Sequence, residues 1–168
     1  MNKQILTETL AVTRFLEGIS KSHLECLAEI ARLEEFEDGD VLFSEGEPVD
    51  CVYLVICGEM ALEVSASGIP PQQVFMVGAG ESLGWSALMD SGRRTATARA
   101  TALTSVARID GEQLLAICED HPRFGYEIMR RTVTALARRL QSMRARFLEV
   151  YRLQPNGFTW RTEEIGVD

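Results

Sequence analysis

VGAGESLGWSALMDSGRRTATARA, residues 77–100, is the stretch on which the reading of this chain turns. It opens with a glycine-bearing turn, continues into the short apolar run WSALM, passes Arg93 and Arg94, and ends in the strand-like TATARA. A short helix beginning near Trp85 turns its first N–H groups outward. Those donors have no intrahelical partner and sit at the positive end of the helix dipole. An arginine on the following strand adds a bidentate, charge-assisted contact to a phosphate. Thr95 and Thr97 supply hydroxyl donors. The stretch reads as an anion cradle of Gly84, Trp85, Ser86, Arg94 and Thr95, although an arginine at a strand edge is also a common surface ion-pair partner.

Outward from the cradle, the pattern is that of short strands. Glycines at 39, 46, 58, 68, 78, 80, 84 and 92 separate the β-rich runs VLF (41–43), CVYLVI (51–56), MALEVS (60–65), QVFMV (73–77), TATARAT (95–101) and SVARI (105–109). Strands of this length between turn residues make a small sandwich or barrel. GIPPQ (68–72) reads as a hairpin tip, because Pro70 and Pro71 cannot sit in a central strand. Residues 1–35 read as helical, with Leu24, Leu27, Ile30, Ala31 and Leu33 at spacings near three and four and Ser20 as the cap. Asp110, followed by Gln113 three residues on, starts a further helix in the manner of a capping box. Pro122 then opens a long helix to about residue 151.

The remaining composition bounds the function. The chain has 168 residues, a net charge of -8, 46% hydrophobic and 25% charged residues. That is a soluble globular composition and a poor non-specific binder of DNA or anionic membrane. Cys26, Cys51, Cys57 and Cys118 form no CxxC pair, and His23 and His121 stand far apart in sequence, so no metal site is expected. The N-terminus has no apolar core of signal-peptide type, and no run approaches the roughly 18 apolar residues of a membrane span. A cytoplasmic setting is expected. No nucleophile–base, HExxH or Walker-type motif occurs, so an enzyme is not expected.

EFEDGDVLFSEGEPVDCVYLVICGEMALEV, followed by the 77–100 stretch, resembles the cyclic-nucleotide-binding domain family of bacterial catabolite-activator regulators and kinase A regulatory subunits. The resemblance runs from about Phe15 to Leu140. It implies an α+β fold: a β-roll (a double-stranded β-helix, a jelly-roll-like barrel of about eight strands) with N-terminal helices and a long C-terminal helix. It implies a division into the β-roll with its helices (1–121), a dimerisation helix (122–152) and a tail (153–168). Within the family's phosphate-binding cassette, Gly84 takes the place of the turn glycine, Arg94 of the phosphate arginine, Thr95 of the residue after it, and Ala87 and Leu88 of the short helix. The family glutamate that accepts from the ribose 2′-hydroxyl falls at Trp85, whose indole only donates. Glu81, four residues earlier, would need a rearranged backbone to replace it. An unpartnered buried hydroxyl costs about 1–3 kcal/mol. The base-contacting positions fall at Met143 and Arg144. Glu81, Ala87 and Arg144 are accordingly further candidates for lining the site.

The long helix carries Met129, Val133, Leu136, Leu140, Met143, Phe147 and Val150 at alternating spacings of four and three, an a/d heptad seam. This stripe either packs on the β-roll or, as the resemblance implies, forms a parallel homodimer beside the ligand. The arginines of the same helix read as a solvated face or as reaching the acidic body of their own subunit. The tail is too short for two packed helices and a wing, so the domain is expected to stand alone and not to bind DNA directly. The expected function is a ligand-sensing regulatory module for a small anionic molecule. No cofactor is expected; cyclic AMP and cyclic GMP are the nucleotides in view, and the downstream protein partner is unnamed. The alternative is a degenerate domain that keeps the fold, binds no cyclic nucleotide, and serves in dimerisation or docking.

Overall fold

The computed structural model describes residues 3–89 and 92–153; the Val150 side chain and residues 154–168 of the tail lie outside the described residues. The chain begins with helix α1 (Lys3–Ala11), a 3-10 turn (Arg14–Leu16) and helix α2 (Lys21–Ile30). The Ser20 hydroxyl caps α2 by accepting from the His23 N–H. Helix does not continue to residue 35. Ala31–Phe36 is strand β1, paired antiparallel with strand β8 (Thr104–Asp110) from Ala31↔Ile109 to Phe36↔Thr104. Ala31 and Leu33 fit both a helical and an alternating pattern, and the six-residue pairing decides between them.

The other strands are β2 (Val41–Phe43), β3 (Cys51–Cys57), β4 (Glu59–Ala66), β5 (Ile69–Gly78), β6 (Ser82–Leu83) and β7 (Thr97–Ala100). They form two four-stranded antiparallel sheets, ordered β1-β8-β3-β6 and β2-β7-β4-β5. Pro70 and Pro71 lie within β5 and not in a hairpin tip. This strand is a sheet edge, so the missing N–H groups break no ladder there. The turn itself is left to Gly68, at φ +77°.

β3 shows why the roll needs its helices. Five consecutive residues, Cys51 to Val55, are buried, whereas a strand with one wet face would alternate. Val52 and Leu54 join Leu10, Leu16, Leu27, Ile109, Leu114 and Ile128 beneath the helices. Cys51, Tyr53 and Val55 turn the other way, into the roll, against Phe43, Met60, Val77, Leu83 and Val106. Each fully buried aliphatic side chain of this kind stabilises the fold by about 1.5–3 kcal/mol.

Asp110 ends β8 and caps helix α3 (Gly111–Asp120), its carboxylate accepting from the Gln113 N–H at 2.9 Å. Helix α4 (Pro122–Leu153) follows and spans 32 residues. Phe124 and Ile128 anchor its first turns in the core. His23, His121 and Phe124 cluster there, with ring centroids 5.1 Å apart for the two histidines and 4.7 Å for His23 and Phe124. Among the described residues, no three metal-ligating side chains come together and no helix is long and apolar enough to cross a membrane.

Candidate functional site

Gly84 heads the 3-10 turn Trp85–Leu88 in the left-handed region, at φ +75°. A side chain is excluded there for a second reason. A Cβ would lie 2.6 Å from Arg94 Nη1 and 2.9 Å from the Cys51 carbonyl oxygen. The guanidinium of Arg94 passes directly beneath the glycine.

Arg94 is almost fully buried, at 3% exposure. Its Nη1 donates to the carbonyl of Cys51 at 3.0 Å and, more weakly, to that of Gly84 at 3.4 Å. Nη2 reaches Asp50 Oδ1 at 3.3 Å. The guanidinium lies over the Phe43 ring at 4.3 Å and near the Tyr53 ring at 5.4 Å. Nε is buried and makes no hydrogen bond. The same Asp50 carboxylate accepts from Arg108 Nη2 at 2.7 Å. Burial works to raise the Asp50 carboxyl, but the hydrogen bond with Cys51 and the Arg108 and Arg94 charges hold it below its ordinary range. Burial, with the Asp50 charge beside it, pushes the Cys51 thiol up to about 11, so this thiol is inert at neutral pH.

A cavity of about 650 Å³ opens over the turn. Gly84, Trp85, Ser86, Arg94 and Thr95 all line it. Its remaining walls are Phe43, Leu62, Val64, Val74, Phe75 and Ala96 from the roll, and Val133, Leu136, Ala137, Arg139, Leu140 and Met143 from α4. Three of the further candidates stand elsewhere. The Glu81 carboxylate turns away, pairing with Arg14 at 3.1 Å and accepting from the Gly78 N–H. Ala87 packs against Gly111 and lines a separate recess with Asp50 and Asp110. Arg144 is exposed and lies outside the cavity wall. The physical reason for the first is local: the turn at Gly78–Glu81 is closed by Glu81 itself, whose carboxylate accepts from the Gly78 N–H and is thereby held toward Arg14.

The α4 stripe divides along its length. Met129 and Leu136 are half-buried, whereas Val133, Leu140, Met143 and Phe147 are 64%, 69%, 47% and 56% exposed. The stripe therefore roofs the cavity without closing on the roll. The helix arginines that reach the body do so mainly through carbonyls and not acids. Arg131 donates to the Phe15 and Glu17 carbonyls, Arg139 to that of Ser82, and Arg146 to that of Val74. Burial lowers the pKa of Arg139, which also faces the Phe75 ring at 5.3 Å.

Sequence reading missed the Asp50–Arg94–Arg108 triad and the Phe43 face under Arg94. Asp50 stands 44 positions before Arg94, and no spacing rule links two loops of different hairpins. Arg139 was also missed as part of the cavity wall.

A family model described as the cyclic nucleotide-binding domain matches residues 33–121, more than half of the chain. Over 136 residues the chain is 26% identical to a CRP-like cAMP-activated global transcriptional regulator of Mycobacterium tuberculosis. That match takes in 81% of this chain but 59% of the regulator, so the chain spans less than two thirds of that curated relative's length. Among solved structures, a cyclic nucleotide-binding domain from Methylobacillus flagellatus superposes with a TM-score of 0.73 at 21% identity, covering 88% of this chain and 83% of that one. The regulatory domain of Toxoplasma gondii PKA, crystallised with cAMP, gives a TM-score of 0.62 at 26% identity, covering 68% of this chain and 44% of that one.

Proposed function

The chain belongs to the cyclic nucleotide-binding domain family, and we propose that it is a ligand-sensing regulatory module holding a small anionic molecule, a cyclic nucleotide or a relative of one, between the Gly84–Ser86 turn and α4. The observation that carries this reading is the cavity of about 650 Å³ onto which Gly84, Trp85, Ser86, Arg94 and Thr95 all face. Its size suits a small molecule of this class. Arg94 supplies the cation, Thr95 a hydroxyl, and the α4 stripe an apolar lid. Because α4 contributes both a cavity wall and the exposed seam, ligand occupancy is felt on the surface where a second copy would pack. That coupling is the sensing step, and a parallel homodimer is the proposed assembly.

Cyclic AMP itself is expected to bind weakly. Arg94 already shares Asp50 with Arg108, so a phosphate must compete for its Nη2. Among the described residues no carboxylate lines the cavity to accept from a ribose hydroxyl, since Trp85 holds that place and Glu81 points to Arg14. The same two observations favour the second reading, a domain that keeps the fold and works by docking alone. Thermal denaturation with cyclic AMP and cyclic GMP at about 1 mM separates the two. A ligand of micromolar affinity stabilises by about 4 kcal/mol through mass action, and a docking domain shows no shift. Trp85→Glu should strengthen cyclic AMP binding. A dissociation constant for the unmodified chain at or below about 1 μM would refute the weak-binding reading.

A further inference from the structure

A second cavity, of about 450 Å³, lies between α4, the Arg14–Leu16 turn and the β5–β6 connection. Five arginines line it, Arg14, Arg130, Arg131, Arg138 and Arg139, against two acidic residues, Glu17 and Glu81. This excess of positive charge stands on a chain of net charge -8. The internal partners do not use it up. Arg14 pairs with Glu81, and Arg130 with Glu127. Arg131 spends its Nη atoms on two backbone carbonyls, and its Nε, 3.5 Å from Glu127, is buried without a hydrogen bond. Buried Arg139 donates to one carbonyl, that of Ser82, and has no carboxylate partner among the described residues. Arg138 has no hydrogen bond or ion pair among the described residues. Buried Arg139 has only the Glu81 charge near it, and that carboxylate already pairs with Arg14, so its compensation is incomplete; planar guanidinium forks match the geometry of phosphate oxygens.

We propose that this cavity is a second binding site, for a small oxyanion bearing two or more negative charges, of the phosphate or diphosphate class. It is distinct from the cavity over Gly84, although Phe75 and Arg139 form part of the wall of both. At about 100° per residue, Arg131, Thr134 and Arg138 stand on the face of α4 opposite Val133, Leu136 and Leu140. The seam can therefore be covered while this site stays open. The proposal does not depend on what the larger cavity binds.

Calorimetric titration with inorganic pyrophosphate, against sodium chloride at matched ionic strength, tests it. The whole chain should bind saturably. Arg138→Glu, at a partnerless position, should weaken binding about tenfold or more, the worth of a charge-assisted hydrogen bond. Arg130→Glu should do the same, and circular dichroism checks that both variants fold. Arg123→Glu, on the exposed start of α4, should leave binding unchanged. Loss in Arg94→Gln but not Arg138→Glu would place the anion in the larger cavity and overturn the proposal. So would an equal loss in Arg123→Glu, which would mean diffuse attraction, or no saturable heat up to about 10 mM, a bound weaker than any specific site of this kind.

Discussion

Replacing Gly84 by alanine separates the two roles that the structure gives this glycine. The first is conformational: at φ +75° an alanine is strained by about 1–2 kcal/mol. The second is steric, because the new Cβ would stand 2.6 Å from Arg94 Nη1 and 2.9 Å from the Cys51 carbonyl. Neither neighbour yields cheaply, since the guanidinium is wedged against Phe43 and tied to Asp50. Overpacking of that kind costs about 1–3 kcal/mol. Gly68→Ala is the control: it has the same sign of φ, +77°, and nothing within 4 Å of the added Cβ, so only the strain remains. In urea denaturation followed by tryptophan fluorescence, Gly84→Ala should lie below Gly68→Ala by about 1–3 kcal/mol at equal m-values. In an Arg94→Ala background the nearest atom is gone, and the gap should narrow by about 1 kcal/mol. If the two glycine variants agree within about 0.5 kcal/mol, Arg94 does not lie pinned beneath the turn and the site geometry is wrong.

Acid titration tests the triad. Burial works to raise the Asp50 carboxyl, yet Cys51, Arg108 and Arg94 hold it below its ordinary 3.8 in the folded chain. The unfolded chain therefore takes up this proton first as pH falls. The stability from these contacts is whole above about 3.8 and is lost as pH drops through the lower folded value; Asp50→Asn should flatten that limb of a pH–stability curve, and an unchanged limb would clear Asp50 of the role. Sedimentation tests the seam: Leu140→Glu with Phe147→Glu, both exposed in the single chain, should give a folded monomer from a wild-type dimer. A wild-type monomer at about 100 μM, where a cellular dimer would be assembled, would refute the homodimer.

Much of the fold was legible because it is written locally. Glycine punctuation marked the roll, and the caps at Ser20 and Asp110 are single hydrogen bonds to residues three positions on. The cradle residues were legible too, because turn, short helix and arginine fall within a dozen positions. What escaped the sequence was decided across the chain. β1 follows α2 without a break residue, and only its pairing with β8 makes it a strand. Glu81 reads as near the cradle, yet the closed turn at Gly78 swings its carboxylate to Arg14. Asp50, which sets the state of Arg94, belongs to a loop between β2 and β3 and carries no motif.

The far part of α4 has a consequence for how this protein would be watched in solution. Every residue from 141 to 149 is exposed, and the Arg146 contact to Val74 is a single long hydrogen bond of 3.4 Å. This stretch continues a helix already nucleated and anchored at Phe124 and Ile128, but with no buried face of its own it is the part of α4 that frays first. Its backbone amides should therefore open and exchange their protons rapidly whenever the face is uncovered, while those around Phe124 and Ile128 stay protected with the core. Amide exchange along one helix thus becomes a gauge graded by position. Slow exchange beyond residue 140 would register an occupied seam directly.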